Sequence, residues 1–137
     1  MKMIKNGLFA CVCSLVVFLL PAGISANEVS LTNEDNGKTV SLHTGDTLVI
    51  NLRGNITTGY SWNVVEPQPS MLTVLGKLYR QYVPDPHRPG VCGSPGTFIF
   101  RFQAASVGSS ELAFAYARCW EKNIPPTQTF KISLVIE

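Results

Sequence analysis

Short runs of alternating apolar and polar residues recur along most of the chain. Leu48, Ile50 and Leu52 alternate with Thr47, Val49 and Asn51, and Tyr60, Trp62 and Val64 with Ser61 and Asn63. Phe98, Phe100 and Phe102 alternate with Ile99, Arg101 and Gln103, and Leu112, Phe114 and Tyr116 with Glu111, Ala113 and Ala115. Phe130, Ile132, Leu134 and Ile136 close the series against Thr129, Lys131 and Ser133. A period of two marks strands with one buried face. The stretch "MLTVLGKLYRQY" from Met71 predicts a further strand with Gly76 as a bulge. "EVSL" at Glu28 and "TVSL" at Thr39 predict short edge strands. Turn signals separate the runs at Asn36-Gly37, Gly45, "EPQPS" and Gly108, and no long helical period occurs. The pattern predicts an all-β chain, an immunoglobulin-like β-sandwich of seven or eight strands. A small barrel is the alternative.

The first residues follow another pattern. Lys2 and Lys5 precede an apolar run from Leu8 to Leu20, and "PAGISA" ends in small residues. This three-part layout predicts a secretory signal peptide over 1–26, and an exported domain, periplasmic or secreted, over 27–137. The apolar run is short for a membrane span, which needs about 20 residues. Removing 26 residues leaves 111, enough for one domain with one core. It also removes the two net positive charges, leaving nine Lys/Arg against nine Asp/Glu. A formally neutral domain gives no electrostatic argument for a nucleic-acid partner. Of four cysteines only Cys92 and Cys119 remain, in a compartment where one disulfide is the expectation.

Candidate chemistry is sparse. His43 and His87 show no paired metal-ligand spacing. Neither a nucleophile elbow nor a phosphate-cradling glycine loop occurs. Cys92 with His87 in "HRPGVC" is the one thiol-enzyme candidate, set against a simpler fate for that sulfur in a disulfide. Two connections are long: "VPDPHRPGVCGSPG" from Val83 to Gly96 and "ARCWEKNIPPTQ" from Ala117 to Gln128. Long loops in compact domains commonly carry function. Shaped loops on a β scaffold without catalytic patterns favour a binding protein over an enzyme. An adhesion or carbohydrate-binding module is the alternative binding function.

"NITTGY" (55–60), "GVCGSPG" (90–96) and "ARCWE" (117–121) occur in an order and spacing that resemble the chagasin family of cysteine-peptidase inhibitors. That family carries an Asn-Pro-Thr-Thr-Gly-aromatic loop, a glycine-rich loop and an Arg-Pro-Trp loop. The phrases "GDTLVINL" and "GTFIFRFQA" also fall where the family has them. The resemblance implies an immunoglobulin-like sandwich that inhibits papain-like (clan CA) cysteine peptidases reversibly and without a covalent bond. Three loops at one end would form a wedge that enters the peptidase's cleft. It assigns peptidase contact to Asn55, Ile56, Thr57, Thr58, Gly59 and Tyr60, with Thr57 and Thr58 over the catalytic cysteine and histidine. It assigns Val91, Gly93, Ser94, Pro95 and Gly96 to the glycine-rich loop, and Arg118, Trp120 and Glu121 to the third. No catalytic residue, metal or cofactor, no nucleic-acid or membrane contact after signal removal, and a monomeric state are expected.

Two departures matter. Ile56 replaces the usual proline, which removes a φ constraint and creates the glycosylation sequon Asn55-Ile56-Thr57. Cys119 replaces the proline of the third motif, while Cys92 lies in the glycine-rich loop. A Cys92–Cys119 disulfide is therefore expected to tie the second loop to the third, closing 28 residues for about 3–4 kcal/mol. Two buried free thiols are the alternative.

Overall fold

The computed structural model describes residues 26–77, 79–86, 89–90 and 93–137. The expected signal segment therefore lies outside the described residues, apart from Ala26. Among the described residues nine strands form two sheets and no α-helix occurs. In the first sheet, β1 (Glu28–Thr32) runs parallel to β3 (Thr47–Gly54), which pairs antiparallel with β7 (Gly96–Ala104). The other edge of β7 carries β5 (Leu72–Val74) and β6 (Gln81–Pro84) in succession. In the second, β2 (Thr39–Leu42) runs parallel to β9 (Gln128–Ile136). That strand pairs with β8 (Gly108–Arg118), and β8 with β4 (Tyr60–Val64).

The period-two sets of the sequence are the buried sets, except that Tyr60 at the loop end is only partly buried. Leu48, Ile50, Leu52, Phe98, Phe100 and Phe102 face the core from one sheet. Trp62, Leu112, Phe114, Phe130, Ile132 and Leu134 face it from the other. Phe100 and Phe114 meet across the interior with ring centroids 4.6 Å apart. Each such side chain contributes about 1.5–3 kcal/mol by leaving water, which is why the alternation dictates the sandwich.

The count of strands differs from the expected seven or eight. The stretch from Met71 does not run through a bulge. It bends at Gly76, with φ +90°, and divides into β5 and β6. Residues between them serve the opposite sheet. The Val64 N–H donates to Tyr79 Oη at 2.8 Å, and Arg80 Nη1 donates to the Trp62 carbonyl at 3.1 Å. These side chains occupy backbone groups along β4, a strand at the edge of its sheet, and so limit unwanted pairing there.

Strand register puts three connections at one end. Gly54 pairs with Gly96, and Tyr60 with Arg118. Tyr116 pairs with Gln128. The segments 55–59 and 119–127, and the two ends of the connection between Pro84 and Gly96, therefore leave the sandwich side by side. Residues 55–59 cross from the first sheet to the second.

Candidate functional site

The first loop is built around Asn55. Residues Ile56–Thr58 form a single 3-10 turn, and Asn55 caps it by accepting from the Thr57 N–H at 3.1 Å. The Thr57 hydroxyl donates to the same Oδ1 at 2.5 Å, and the Thr58 hydroxyl donates to the Asn55 carbonyl at 2.6 Å. The Asn55 N–H donates to Tyr116 Oη at 2.8 Å, which fixes the loop to the core beneath it. Gly59 ends the turn at φ +85°, a conformation costly for residues with a Cβ. Both threonine hydroxyls thus donate within the loop, and Ile56 stands 40% exposed beside them. What the loop offers a partner is backbone, methyl groups and the Ile56 side chain.

The second loop is tied to the first. Asn55 Nδ2 donates to the Gly93 carbonyl at 2.9 Å. Gly93 has φ +77°, and a Cβ there would fall 2.9 Å from Thr57 Oγ1, so glycine permits both the turn and the approach. The neck of the loop is closed by the Asp85 N–H donating to the Pro95 carbonyl at 3.0 Å. Arg53 grips Asp85 with two parallel bonds of 2.7 and 2.6 Å, the fork geometry of strong guanidinium–carboxylate pairs. That pairing raises the Arg53 pKa further. Ser94 is half-buried, with its carbonyl 3.4 Å from Tyr82 Oη, while Pro95 is exposed and Gly96 begins β7. Val91, Cys92 and His87 lie outside the described residues.

The third loop lays an aromatic ring against the first. Trp120 is 62% exposed, whereas Trp62 is buried, so the two tryptophans have opposite fates. A Cβ added at Gly59 would run into the Trp120 ring. Arg118 Nε donates to the Thr58 carbonyl at 3.1 Å, and Nη1 meets Glu121 Oε1 at 3.1 Å. The Arg118 guanidinium lies 4.3 Å from the Tyr60 ring centroid and 5.8 Å from that of Trp120. The Glu121 N–H donates to the Arg118 carbonyl at 3.2 Å. Cys119, between them, is exposed with a free thiol.

The structure brings together the described residues expected at the site: Asn55 to Tyr60, Gly93 to Gly96, and Arg118, Trp120 and Glu121. Sequence reasoning missed Tyr116, Arg53 and Asp85 as supports. Tyr116 was legible in part, because an inward-facing tyrosine brings a hydroxyl that needs a partner. Nothing in the sequence pairs Arg53 with Asp85 across 32 positions. Among the described residues no cluster of His, Cys, Asp or Glu is placed to hold a metal ion. None of their helices is long and apolar enough to cross a membrane.

Comparison with known proteins agrees with this geometry. The chain is 34% identical over 107 residues to Amoebiasin-1 of Entamoeba histolytica, covering 77% of this chain and 99% of that protein. It is 27% identical over 109 residues to Chagasin of Trypanosoma cruzi, covering 76% and 94%. The fold matches the crystal structure of the cysteine protease inhibitor EhICP2 of Entamoeba histolytica with a TM-score of 0.73. That match is at 26% identity and covers 82% of this chain and 98% of the other. The profile of the family described as "Chagasin family peptidase inhibitor I42" matches residues 41–134. With three tied loops at one end of a nine-stranded sandwich and that match over most of its length, this chain belongs to the chagasin family of peptidase inhibitors.

Proposed function

We propose that this protein inhibits papain-like cysteine peptidases reversibly and without a covalent bond, by placing the loops 55–59, 85–95 and 119–127 in the active-site cleft. The observation that carries this reading is the seat of Trp120. A tryptophan held mostly in water beside a tied turn offers a large apolar face that a partner can bury. It is also the residue type most often found as an energetic anchor of interfaces. The match to EhICP2, a cysteine protease inhibitor, supports the same class of target.

The loops suit a narrow cleft. The threonine hydroxyls donate inward, so the first loop enters without unpaired hydroxyl protons to desolvate. Two of the charged pairs at the loops are internal, Arg53 with Asp85 and Arg118 with Glu121, and among the described loop residues Lys122 is left as an exposed charge. Attraction therefore comes from apolar contact and backbone groups more than from net charge. Much of the ordering cost is met before the partner arrives, which leaves more of the contact energy for affinity.

The same reading makes the protein a non-enzyme that acts as a monomer, exported by a signal peptide over 1–26, without nucleic-acid or membrane contacts. It requires Asn55 to remain unglycosylated, because a glycan on Nδ2, which lies between the first loop and Gly93, would block entry of the loops into the cleft. The Cys92–Cys119 bond belongs to the proposal too, as an oxidised form of loops in which Cys119 here stands free. Thiol titration of the unfolded, unreduced protein is expected to find none, and a count of two would remove the bond.

The test of function is titration of residues 27–137 into papain with a fluorogenic substrate, beside a serine peptidase as control. Inhibition of papain alone, recovered on dilution, is expected. Unchanged papain activity at micromolar protein would reject the reading.

A further inference from the structure

Arg118 and Glu121 form an ion pair three residues apart on a loop that is largely exposed. Such exposed pairs contribute little to stability, so fold stability alone gives weak reason for this one. Its geometry has a different consequence. The guanidinium is engaged on several sides at once: Nε on the Thr58 carbonyl, Nη1 on Glu121, and its plane near the Tyr60 and Trp120 rings. Thr58 belongs to the first loop and Trp120 to the third. Both side chains of the pair are turned inward enough to be about two-thirds covered or more.

We infer that Arg118 and Glu121 are positioning residues, which lock Trp120 and the 55–59 turn into one rigid body and do not act by touching the peptidase. This rests on the proposed inhibition and changes the role expected for these two residues from contact to support. Arginine is a long side chain with several rotatable bonds, and a single hydrogen bond would leave it mobile. Glu121 removes that freedom by fixing the far end of the fork. The backbone bond from Glu121 N–H to the Arg118 carbonyl closes the turn and sets the carboxylate within reach. With Arg118 fixed, the Trp120 ring has the guanidinium over it and the Gly59 backbone at the edge of its six-membered ring. Lysine cannot substitute, since it lacks a planar fork that reaches a carbonyl and a carboxylate together.

A double-mutant cycle on papain inhibition tests the inference. If Glu121 acts through Trp120, Glu121→Gln weakens inhibition about five- to tenfold in the parent protein. The same change has less than about a twofold effect in the Trp120→Ala background. Arg118→Lys, which keeps the charge, is expected to lose as much as Glu121→Gln. Equal losses from Glu121→Gln in both backgrounds, or full activity of Arg118→Lys, would overturn the inference. A second readout needs no peptidase. In protein labelled with 5-fluorotryptophan, Glu121→Gln should shift or broaden the Trp120 fluorine resonance and leave buried Trp62 unchanged. Failure of the parent to inhibit papain would reject the function, while an unmoved Trp120 resonance would reject the clamp.

Discussion

The two ends of the sandwich are finished by similar side chains put to different use. At the end away from the loops, Asp46 is buried and its carboxylate accepts from the His43 N–H at 2.8 Å and the Asn27 N–H at 3.1 Å. At the loop end, half-exposed Asn55 accepts from the Thr57 N–H and donates to the Gly93 carbonyl. A carboxylate only accepts, so Asp46 gathers backbone donors and draws the chain onto the core. A carboxamide also donates, so Asn55 can join one loop's N–H to another loop's carbonyl and hold both out in water. The first arrangement serves stability and the second serves recognition. Substitutions at the two ends should separate these quantities.

Trp120→Ala is expected to have the largest effect at the loop end: inhibition of papain falls about thirtyfold or more, roughly 2 kcal/mol, with the melting temperature almost unchanged. Gly59→Ala should come next, about tenfold weaker, because a Cβ at positive φ would occupy the space of the Trp120 ring. Equal inhibition by Gly59→Ala would show that the ring's seat has no bearing on binding. Isosteric swaps address the comparison directly. Asn55→Asp keeps the cap of the 3-10 turn and loses the donor to Gly93, so inhibition weakens about fivefold, near 1 kcal/mol. Asp46→Asn replaces one of two acceptors with a donor facing a backbone N–H. Thermal unfolding should shift downwards while the folded fraction inhibits as before. A parallel loss of inhibition in Asp46→Asn would mean that the ends are coupled.

The smallest effect is a pH dependence of stability. The backbone N–H groups of His43 and then Asn27 hold the Asp46 pKa below the ordinary 3.8. Lys38 and then the Thr32 N–H do the same for Asp35. A carboxyl whose folded pKa is depressed contributes fully above its unfolded pKa, and the contribution is lost as pH falls through the folded value. Melting temperature should therefore decline with acid below about pH 4, and Asp46→Asn should decline less steeply, retaining the Asp35 share.

How much of this was legible depended on whether the signal was local. Leu48, Ile50 and Leu52 announce a strand because each lies two positions from the next, and all are buried as that spacing demands. The break at Gly76 was not legible as a break. Glycine in a strand pattern is compatible with a bulge or a bend, and the choice fell to Tyr79 and Arg80 reaching the opposite sheet. At the site, Asn55 to Gly59 could be read as a shaped turn from residue types alone. That the Thr57 hydroxyl donates to Asn55 Oδ1 could not, because that acceptor depends on one side-chain rotamer. The alternation of its strand put Trp62 in the core and the third loop motif turned Trp120 toward a partner, but neither gave the seat of the Trp120 ring against Gly59. The bridge from Asn55 to Gly93 spans 38 positions, and only the fold brings those ends together.

The claim on which the account rests is that the loop end occupies the cleft of the peptidase. The direct measurement is the rate at which a small alkylating reagent modifies papain's catalytic cysteine, with and without saturating protein. Occlusion predicts that alkylation slows in proportion to the fraction of papain bound, and that Trp120→Ala restores the rate at the same concentration. Alkylation at the free-enzyme rate while substrate cleavage is blocked would place the protein elsewhere on the peptidase and contradict the account.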